Sequence, residues 1–388
     1  MSKDERVVLL GLKRTFVGKR GGALAHVGAH QLMTRSFCAT LADVAVPIDA
    51  IDDVIVGNVR NGIGNIARVA ALDAGVPEEV PACTVDRQCA SGLEALAMAA
   101  ARVRLGEARI ILAGGVESAS TCPWLFDKTP RGYAYAEPRP HEVLLAPRST
   151  GNLPMGQTAE MLAGEFAITR DAQDRFAYES HRKAANAATQ KQFDAEICTM
   201  DDIVADESVR PRTTLDKLAA LRPAFDANGT VTAGNSSPLN DGAASCLVMN
   251  ESTANGLGIV PQAILGPVDT VGLHPNRMGL GPAMTLPRLL KKSGLACRDV
   301  DLFEINEAFA AQVLASLHHL RRNDGIDIPA EKLNCRGGAI ALGHPLGATG
   351  LRLVVTLVHA LEQNDLKQGV VSMCVGGGQG MSASVTRY

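Results

Sequence analysis

A chain of 388 residues is too long for one small core and is expected to divide into two or three domains. Its 46% hydrophobic and 20% charged content is ordinary for a globular protein. The formal net charge of −3 excludes a general attraction to nucleic acid or anionic membrane, so an anionic ligand must meet a local basic patch. Aromatics are scarce, at 4%, and glycines number 38, so cores must rest on Ala, Val, Leu and Ile with backbones approaching closely. No apolar run reaches the roughly 18 residues of a membrane helix. The opening stretch MSKDERVVLLGLKRT has no hydrophobic signal core, and the closing SVTRY has no peroxisomal tripeptide. The nine cysteines are odd in number and form no Cys-x-x-Cys pair. Neither a disulfide framework nor a metal site is expected, and a reducing cytoplasm fits best.

Residues 4–12 read as a first strand, Gln31 to Ala42 as a helix, and Val54 to Val56 as a strand ending in Gly57-Asn58. Asn65 to Ala74 reads as an alanine-rich helix. The stretch from Val85 to Ser118 is the one around which the rest of the chain is organised. A polar turn carries Cys89, and Leu93, Leu96, Ala97, Ala100 and Val103 then recur at helical spacing. Gly106 closes that helix. Ile110 to Ala113, bounded by Gly114-Gly115, reads as a buried strand. Strands alternating with helices predict an α/β layer structure with a mostly parallel sheet.

From about Ala119 to Asn240 proline, charge and irregular segments dominate, which predicts an insertion laid across the core. Within it Thr158 to Gln190 is amphipathic and helical, with a capping signal at Thr169 to Gln173. Gly242 to Met249 and Pro261 to Gly266 read as strands. The last third then echoes the first. Leu302 to Ile305 is a strand ending in Asn306, as Val54 to Val56 ends near Asn58. Asn334 to Gly350 is a glycine-rich turn feeding a helix from Leu351 to Leu361. Val370 to Met373 is a strand ending in Cys374 and a glycine run. A duplicated α/β unit is expected, divided as 1–118 with 241–263, an insertion over 119–240, and 264–388.

Cys89, Asn306, His344 and Cys374 are polar positions at strand ends or helix starts, where ligands of α/β sheets gather. Cys89 alone reads more readily as a small buried turn residue than as a nucleophile, although a helix N-terminus favours thiolate. Asn306 with Glu307 can equally cap a helix from Ala308 to Leu317. His344 lies in a glycine- and proline-flanked stretch with no amphipathic face. Gly376, Gly377 and Gly378 after Cys374 can expose N–H groups to an oxyanion. Asp86, Glu94, Asp174 and Glu179 read as surface or capping charges, and the remaining cysteines as core. Together the four positions describe acyl transfer by a thiol.

The motifs DRQCASGLEA, TVTAGNSSPLNDGAA, NEAFAAQ, NCRGGAIALGHPLGATG and CVGGGQG, in that order, resemble those of the thiolase family over essentially the whole chain. The resemblance implies two duplicated halves in a layered α-β-α-β-α core with a long coenzyme-binding insertion. It implies that Cys89 carries the acyl group as a thioester and that His344 activates it. Asn306 would hold an oxyanion-hole water, and Cys374 would move the α-carbon proton. The N–H groups of Cys89 and Gly376 would form a second oxyanion hole. Ser237, Arg210, Phe225 and Phe309 would contact coenzyme A, and Met155 and Met278 would line the acyl pocket. Coenzyme A enters as substrate or product, with acyl-CoA and acetyl-CoA as the other partners and no tightly bound cofactor. A homodimer or homotetramer is implied, as is the possibility of a multifunctional β-oxidation partner subunit.

The chain departs from the family in three places. Asp86 stands where many members have asparagine, and its charge is expected to raise the Cys89 pKa unless it pairs with Arg87 or a partner chain. Cys335 replaces a common proline, and Pro238 a glycine. Pro154-Met155-Gly156, where acetoacetyl-specific members have His-Met-Gly, leans toward a 3-ketoacyl-CoA thiolase of degradation. The alternatives are a biosynthetic acetoacetyl-CoA thiolase and a non-catalytic acyl-CoA or lipid carrier. A ketoacyl synthase-like enzyme is disfavoured by asparagine at 306.

Overall fold

The computed structural model describes residues 5–60, 62–128, 138–199 and 205–388. Parts of the expected insertion, and the first residue of the expected first strand, lie outside these. The first half contains β1 (Val7–Thr15), β2 (Gly18–Lys19), α1 (Ala29–Asp43), β3 (Asp53–Gly57), α2 (Ile66–Asp73), β4 (Ala82–Val85), α3 (Ser91–Leu105) and β5 (Ile110–Ser118). Next come α4 (Met155–Glu165), α5 (Arg170–Thr189), β6 (Ile197–Cys198) and α6 (Leu215–Ala219). The chain then forms β7 (Asn240–Asn250), α7 (Glu251–Gly256), β8 (Ala263–Gly272), α8 (Gly281–Ser293), β9 (Leu302–Ile305) and α9 (Ala310–His319). It ends with α10 (Ala339–Leu342), α11 (Leu346–Gln363), β10 (Gln368–Val375) and β11 (Gln379–Arg387).

The main strand order is β4-β3-β5-β7-β1-β8-β11-β10-β9. The duplication is visible in it. The run β3-β5-β7-β1 from one end matches β9-β10-β11-β8 from the other, and the copies meet where β1 pairs antiparallel with β8, Val7 opposite Leu265. In the second copy β10 turns into β11 through Gly376, Gly377 and Gly378. In the first copy the whole insertion occupies that place, between β5 and β7. The sheet is mixed, not mostly parallel. Among the described residues only β3–β4, β3–β5, β9–β10 and β1–β6 are parallel, whereas β7, β1, β8 and β11 pair antiparallel along the middle. Alternation of strands and helices in sequence does not reveal that a hairpin or a long excursion reverses the direction.

Side-chain alternation sorts the strands into layers. In β5, Ile111 and Ala113 face a central core while Ile110, Leu112 and Val116 face an outer one. The central core takes Leu93, Leu96 and Ala99 of α3 and Leu351, Val354 and Val358 of α11, with strand residues from both halves. Helices α1 and α2 cover the first half from outside, and α8 and α9 cover the second through Leu286, Leu289 and Val313. The result is α-β-α-β-α layering. Helix α11 is buried on every face from Gly347 to Leu361, which is why its sequence is apolar all round.

Several boundaries moved. Strand β5 continues through Gly114-Gly115 to Ser118, and glycine is needed at 115 because a Cβ there would lie 2.4 Å from the Gly347 carbonyl oxygen. The helical stretch from 158 to 190 is two helices, broken where Ala167 turns to φ +52°, and Thr169 caps the second by accepting from the Ala172 N–H at 3.2 Å. Helix α11 begins at Leu346, inside the expected turn. Strand β11 and helix α8 were not anticipated. The insertion is tied to β1 by buried Arg14, which pairs with Glu196 at 2.6 Å and Asp206 at 2.7 Å. No helix among the described residues is long and apolar enough to cross a membrane.

Candidate active site

Cys89 sits in a tight turn before α3. Gln88 adopts φ +46°, and the Asp86 carboxylate accepts its N–H at 2.6 Å. The Ser91 hydroxyl accepts from the Arg87 N–H at 2.9 Å and donates to the Gln88 carbonyl at 2.7 Å. Cys89 is half-buried. Burial pushes its thiol up, and the Gly376 N–H, donating to the sulfur, only partly offsets this. The thiolate expected from a helix N-terminus is therefore not the resting form. Nearby Glu117 and then Asp86 also raise the thiol. Arg87 does not neutralise Asp86, because its guanidinium is committed to Glu94 at 2.8 Å and to Gln379 at 3.1 Å.

These contacts give Asp86 two separable effects. Asp86→Asn keeps an oxygen for the Gln88 N–H and removes the charge, so any pH limb set by Cys89 should move down by under about one unit with little change in stability. Asp86→Ala removes the turn's acceptor and should cost about 1–2 kcal/mol in denaturant melts. Equal stability of the two variants would refute this assignment.

His344 precedes α11 in the same manner. Gly343 has φ +111°, and a Cβ there would lie 2.5 Å from the Asn240 side chain that fills the space. Asn240 accepts the His344 N–H at 3.1 Å and donates to the Gly18 carbonyl at 2.8 Å. The ring places Nδ1 2.6 Å from the Thr349 hydroxyl, while buried Nε2 has no hydrogen-bond partner among the described residues. Burial, then the charge of Arg352, brings the ring down to about 3, so it is neutral.

The two helix starts meet because glycines let backbones touch. A Cβ on Gly347 would lie 2.3 Å from the Val116 carbonyl oxygen, and one on Gly350 would lie 2.6 Å from the Leu93 nitrogen. Glu117 fastens this crossing, accepting N–H groups from Gly347 at 3.0 Å, Arg60 at 3.0 Å and Val59 at 3.2 Å. Burial raises its carboxyl to about 7.

Cys374 ends β10 in full burial, and its thiol is driven far up by that burial and further by Cys89 nearby. Asn306 follows β9, its N–H donating to the Ser372 carbonyl at 2.9 Å. Both polar atoms of its buried side chain lack a hydrogen-bond partner among the described residues. The capping alternative fails, since α9 starts only at Ala310 and Glu307 instead accepts from Ser180 at 2.6 Å and Asn334 at 2.8 Å.

Met278, Phe309, Ala308, Val231 and Cys374 form one apolar cluster, with Met155 packed against it. Phe225 stands edge-on to Phe309, ring centres 5.9 Å apart, and lies over Gly156, where a Cβ would be 2.2 Å from its ring. A Cβ on Gly376 would lie 3.8 Å from the Met155 sulfur and 3.9 Å from the Gln88 Cβ, so the Cys89 turn adjoins this cluster. Ser237 joins it by donating its N–H to the Ala308 carbonyl at 3.0 Å. Arg210 does not join it. It lines a separate hollow of about 400 Å³ with Arg212 and Lys217.

Residues 7–252 match the family described as thiolase, N-terminal domain, and residues 259–387 match thiolase, C-terminal domain. The chain belongs to the thiolase family. It is 42% identical to a probable acetyl-CoA acyltransferase of Staphylococcus epidermidis, over 99% of both chains, and 41% identical to one of Staphylococcus aureus, again over 99% of both. Among solved structures, this thiolase is similar to the Bacillus anthracis acetyl-CoA acetyltransferase (TM-score 0.92, 37% identity, 99% of each chain). It is also similar to human mitochondrial 3-ketoacyl-CoA thiolase in complex with CoA (TM-score 0.93, 35% identity, 99% and 98% of the chains).

Three residues of this thiolase's site escaped sequence reasoning: Asn240, Glu117 and Thr349. Glu117 had a signal, a carboxylate ending a fully apolar strand. Two bland assignments also changed. Asp174 is buried, paired with Arg170 at 2.7 Å and accepting from Asn235 at 3.0 Å. Of the other cysteines only Cys246 is buried; Cys38 is exposed and the rest are half-buried.

Proposed function

We propose that this thiolase cleaves 3-ketoacyl-CoA with coenzyme A to acyl-CoA and acetyl-CoA, in acyl-CoA degradation. The observation that carries the proposal is the convergence of Cys89, under the Gly376 N–H, with Cys374 and the apolar cluster that holds Met155, Met278 and Phe309. His344 Nε2, neutral and without a hydrogen-bond partner among the described residues, takes the Cys89 proton as sulfur attacks the 3-keto carbon. The N–H groups of Cys89 and Gly376 receive the oxyanion. The C2–C3 bond then breaks, its electron pair forms the acetyl-CoA enolate, and Cys374 protonates C2. A thiol held so far above neutrality is suited to donate that proton. His344 Nε2–H, with a water on the Asn306 amide, stabilises the enolate oxygen. Coenzyme A thiol next attacks the thioester and gives its proton to Cys374; acyl-CoA leaves, and the Cys89 thiolate takes back the proton held on His344 Nε2.

The pantetheine arm runs past Ser237, Phe309 and Phe225, and the phosphates reach the basic hollow of Arg210, Arg212 and Lys217. That hollow supplies the local positive charge the overall composition lacks. Pro154 before Met155 supports substrates beyond acetoacetyl-CoA. The proposal extends to a cytoplasmic homodimer or homotetramer, which can work with a multifunctional partner subunit. Exposed Trp124, Leu125, Phe126, Val143 and Leu144 support self-association. The proposed division remains 1–118 with 241–263, 119–240 and 264–388.

Thiolysis rates for 3-ketoacyl-CoA substrates from four carbons upward, with mass spectrometry of the acylated protein, test this. Turnover of longer chains and an acyl adduct on Cys89 are expected. Activity confined to acetoacetyl-CoA would favour the biosynthetic alternative, and absence of any Cys89 adduct the non-catalytic carrier.

A further inference from the structure

His344 can carry its ring proton on either nitrogen, and only a bare Nε2 can serve as the base proposed above. The Thr349 hydroxyl lies 2.6 Å from Nδ1 and donates to the Pro345 carbonyl at 2.8 Å. A hydroxyl has one proton to give. With that proton on Pro345, the oxygen facing the ring can only accept. In that arrangement Nδ1 carries the imidazole proton and Nε2 the lone pair. The opposite tautomer would put a buried N–H at Nε2, which has no acceptor among the described residues.

The placement is rigid. Thr349 is fully buried on the first turn of α11, five residues after His344. Gly347 and Gly350 bring that turn into backbone contact with β5 and α3. The Asn240 side chain holds the His344 backbone from the other side.

We propose that Thr349 is a positioning residue that selects the Nδ1–H tautomer of His344 and so leaves Nε2 free as the base toward Cys89. This rests on the thiolase mechanism proposed above. Thr349→Val keeps the shape and removes the acceptor. It should lower the rate of Cys89 acylation and kcat by about 10- to 100-fold with KM nearly unchanged. Thr349→Ser should restore the rate to within about threefold, since it returns the hydroxyl alone.

The tautomer itself is read by NMR of protein labelled with 15N-histidine, which needs no turnover. The wild-type His344 is expected to show a protonated Nδ1 and a bare Nε2, and Thr349→Val a mixture. An Nε2–H ring in the wild type overturns the proposal even if Thr349→Val does not fold. So does an unchanged acylation rate in a folded Thr349→Val, or a slowed one whose tautomer matches the wild type. Failure of the wild type to acylate Cys89 would instead reject the mechanism and leave the tautomer to the NMR result.

Discussion

Replacing Cys89 with alanine is expected to abolish the acyl adduct and lower thiolysis by about 10⁴-fold or more, whereas Cys374→Ala should keep the adduct and still lose turnover. Both thiols rest protonated, raised chiefly by burial, yet their surroundings differ. Cys89 is half-buried under the Gly376 N–H and preceded by the tight turn at Gln88. In the proposed mechanism the covalent intermediate forms on this sulfur, so removing it removes the pathway. Cys374 is fully enclosed beside the Cα of Gly281, where a Cβ would lie 3.1 Å from the Cys374 Cα. Its proposed task is proton transfer at C2, worth about 10²–10⁴-fold. Two readouts separate the roles. Transfer of an acetyl group from acetyl-CoA to the protein is lost without the Cys89 sulfur and only slowed without Cys374, while hydrogen exchange at the α-carbon of bound acetyl-CoA is lost without Cys374. An acyl adduct persisting in Cys89→Ala would assign the nucleophile elsewhere.

Gly347→Ala should destabilise the protein by about 3 kcal/mol, the upper end of ordinary overpacking, and lower acylation as well. The added methyl would lie 2.3 Å from the Val116 carbonyl oxygen and 2.9 Å from both the Asn58 Cα and the Gly57 carbonyl oxygen. All three are backbone atoms at the ends of β3 and β5, so no side-chain rotation relieves the clash. Moving α11 away would break the Gly347 N–H bond to Glu117 and carry His344 with it. Gly164→Ala is the control, because a Cβ there meets nothing within 4 Å inside helix α4. It should be neutral or add up to about 1 kcal/mol. Guanidinium melts and single-turnover acylation measure both effects, and equal melts for the two variants would refute the packing account.

Much of the site was legible because its signals are local. A cysteine before an amphipathic helix, a histidine between glycines before an apolar one, and a cysteine before three glycines each announce a strand end or helix start. Their repetition announces the duplicated fold. The helix periods, the Thr169 cap and the Gly106 stop are equally local, since each depends on neighbours within a few residues.

Other features depend on residues distant in the chain. The sheet is mixed because β7 and β11 return antiparallel, one after a long insertion and one after three glycines. Asp174 is interior because Asn235 and Arg170 satisfy it there. The sequence determined that Cys89 opens a helix, which argued for thiolate. Burial in the folded protein reversed that, because desolvation outweighs the N–H donated by Gly376. It likewise determined that His344 is a candidate base. That its ring is neutral, with Nε2 lacking a partner among the described residues, comes from its burial, from Thr349 and Arg352 on the helix that follows it, and from Asn240 brought in from a distant strand.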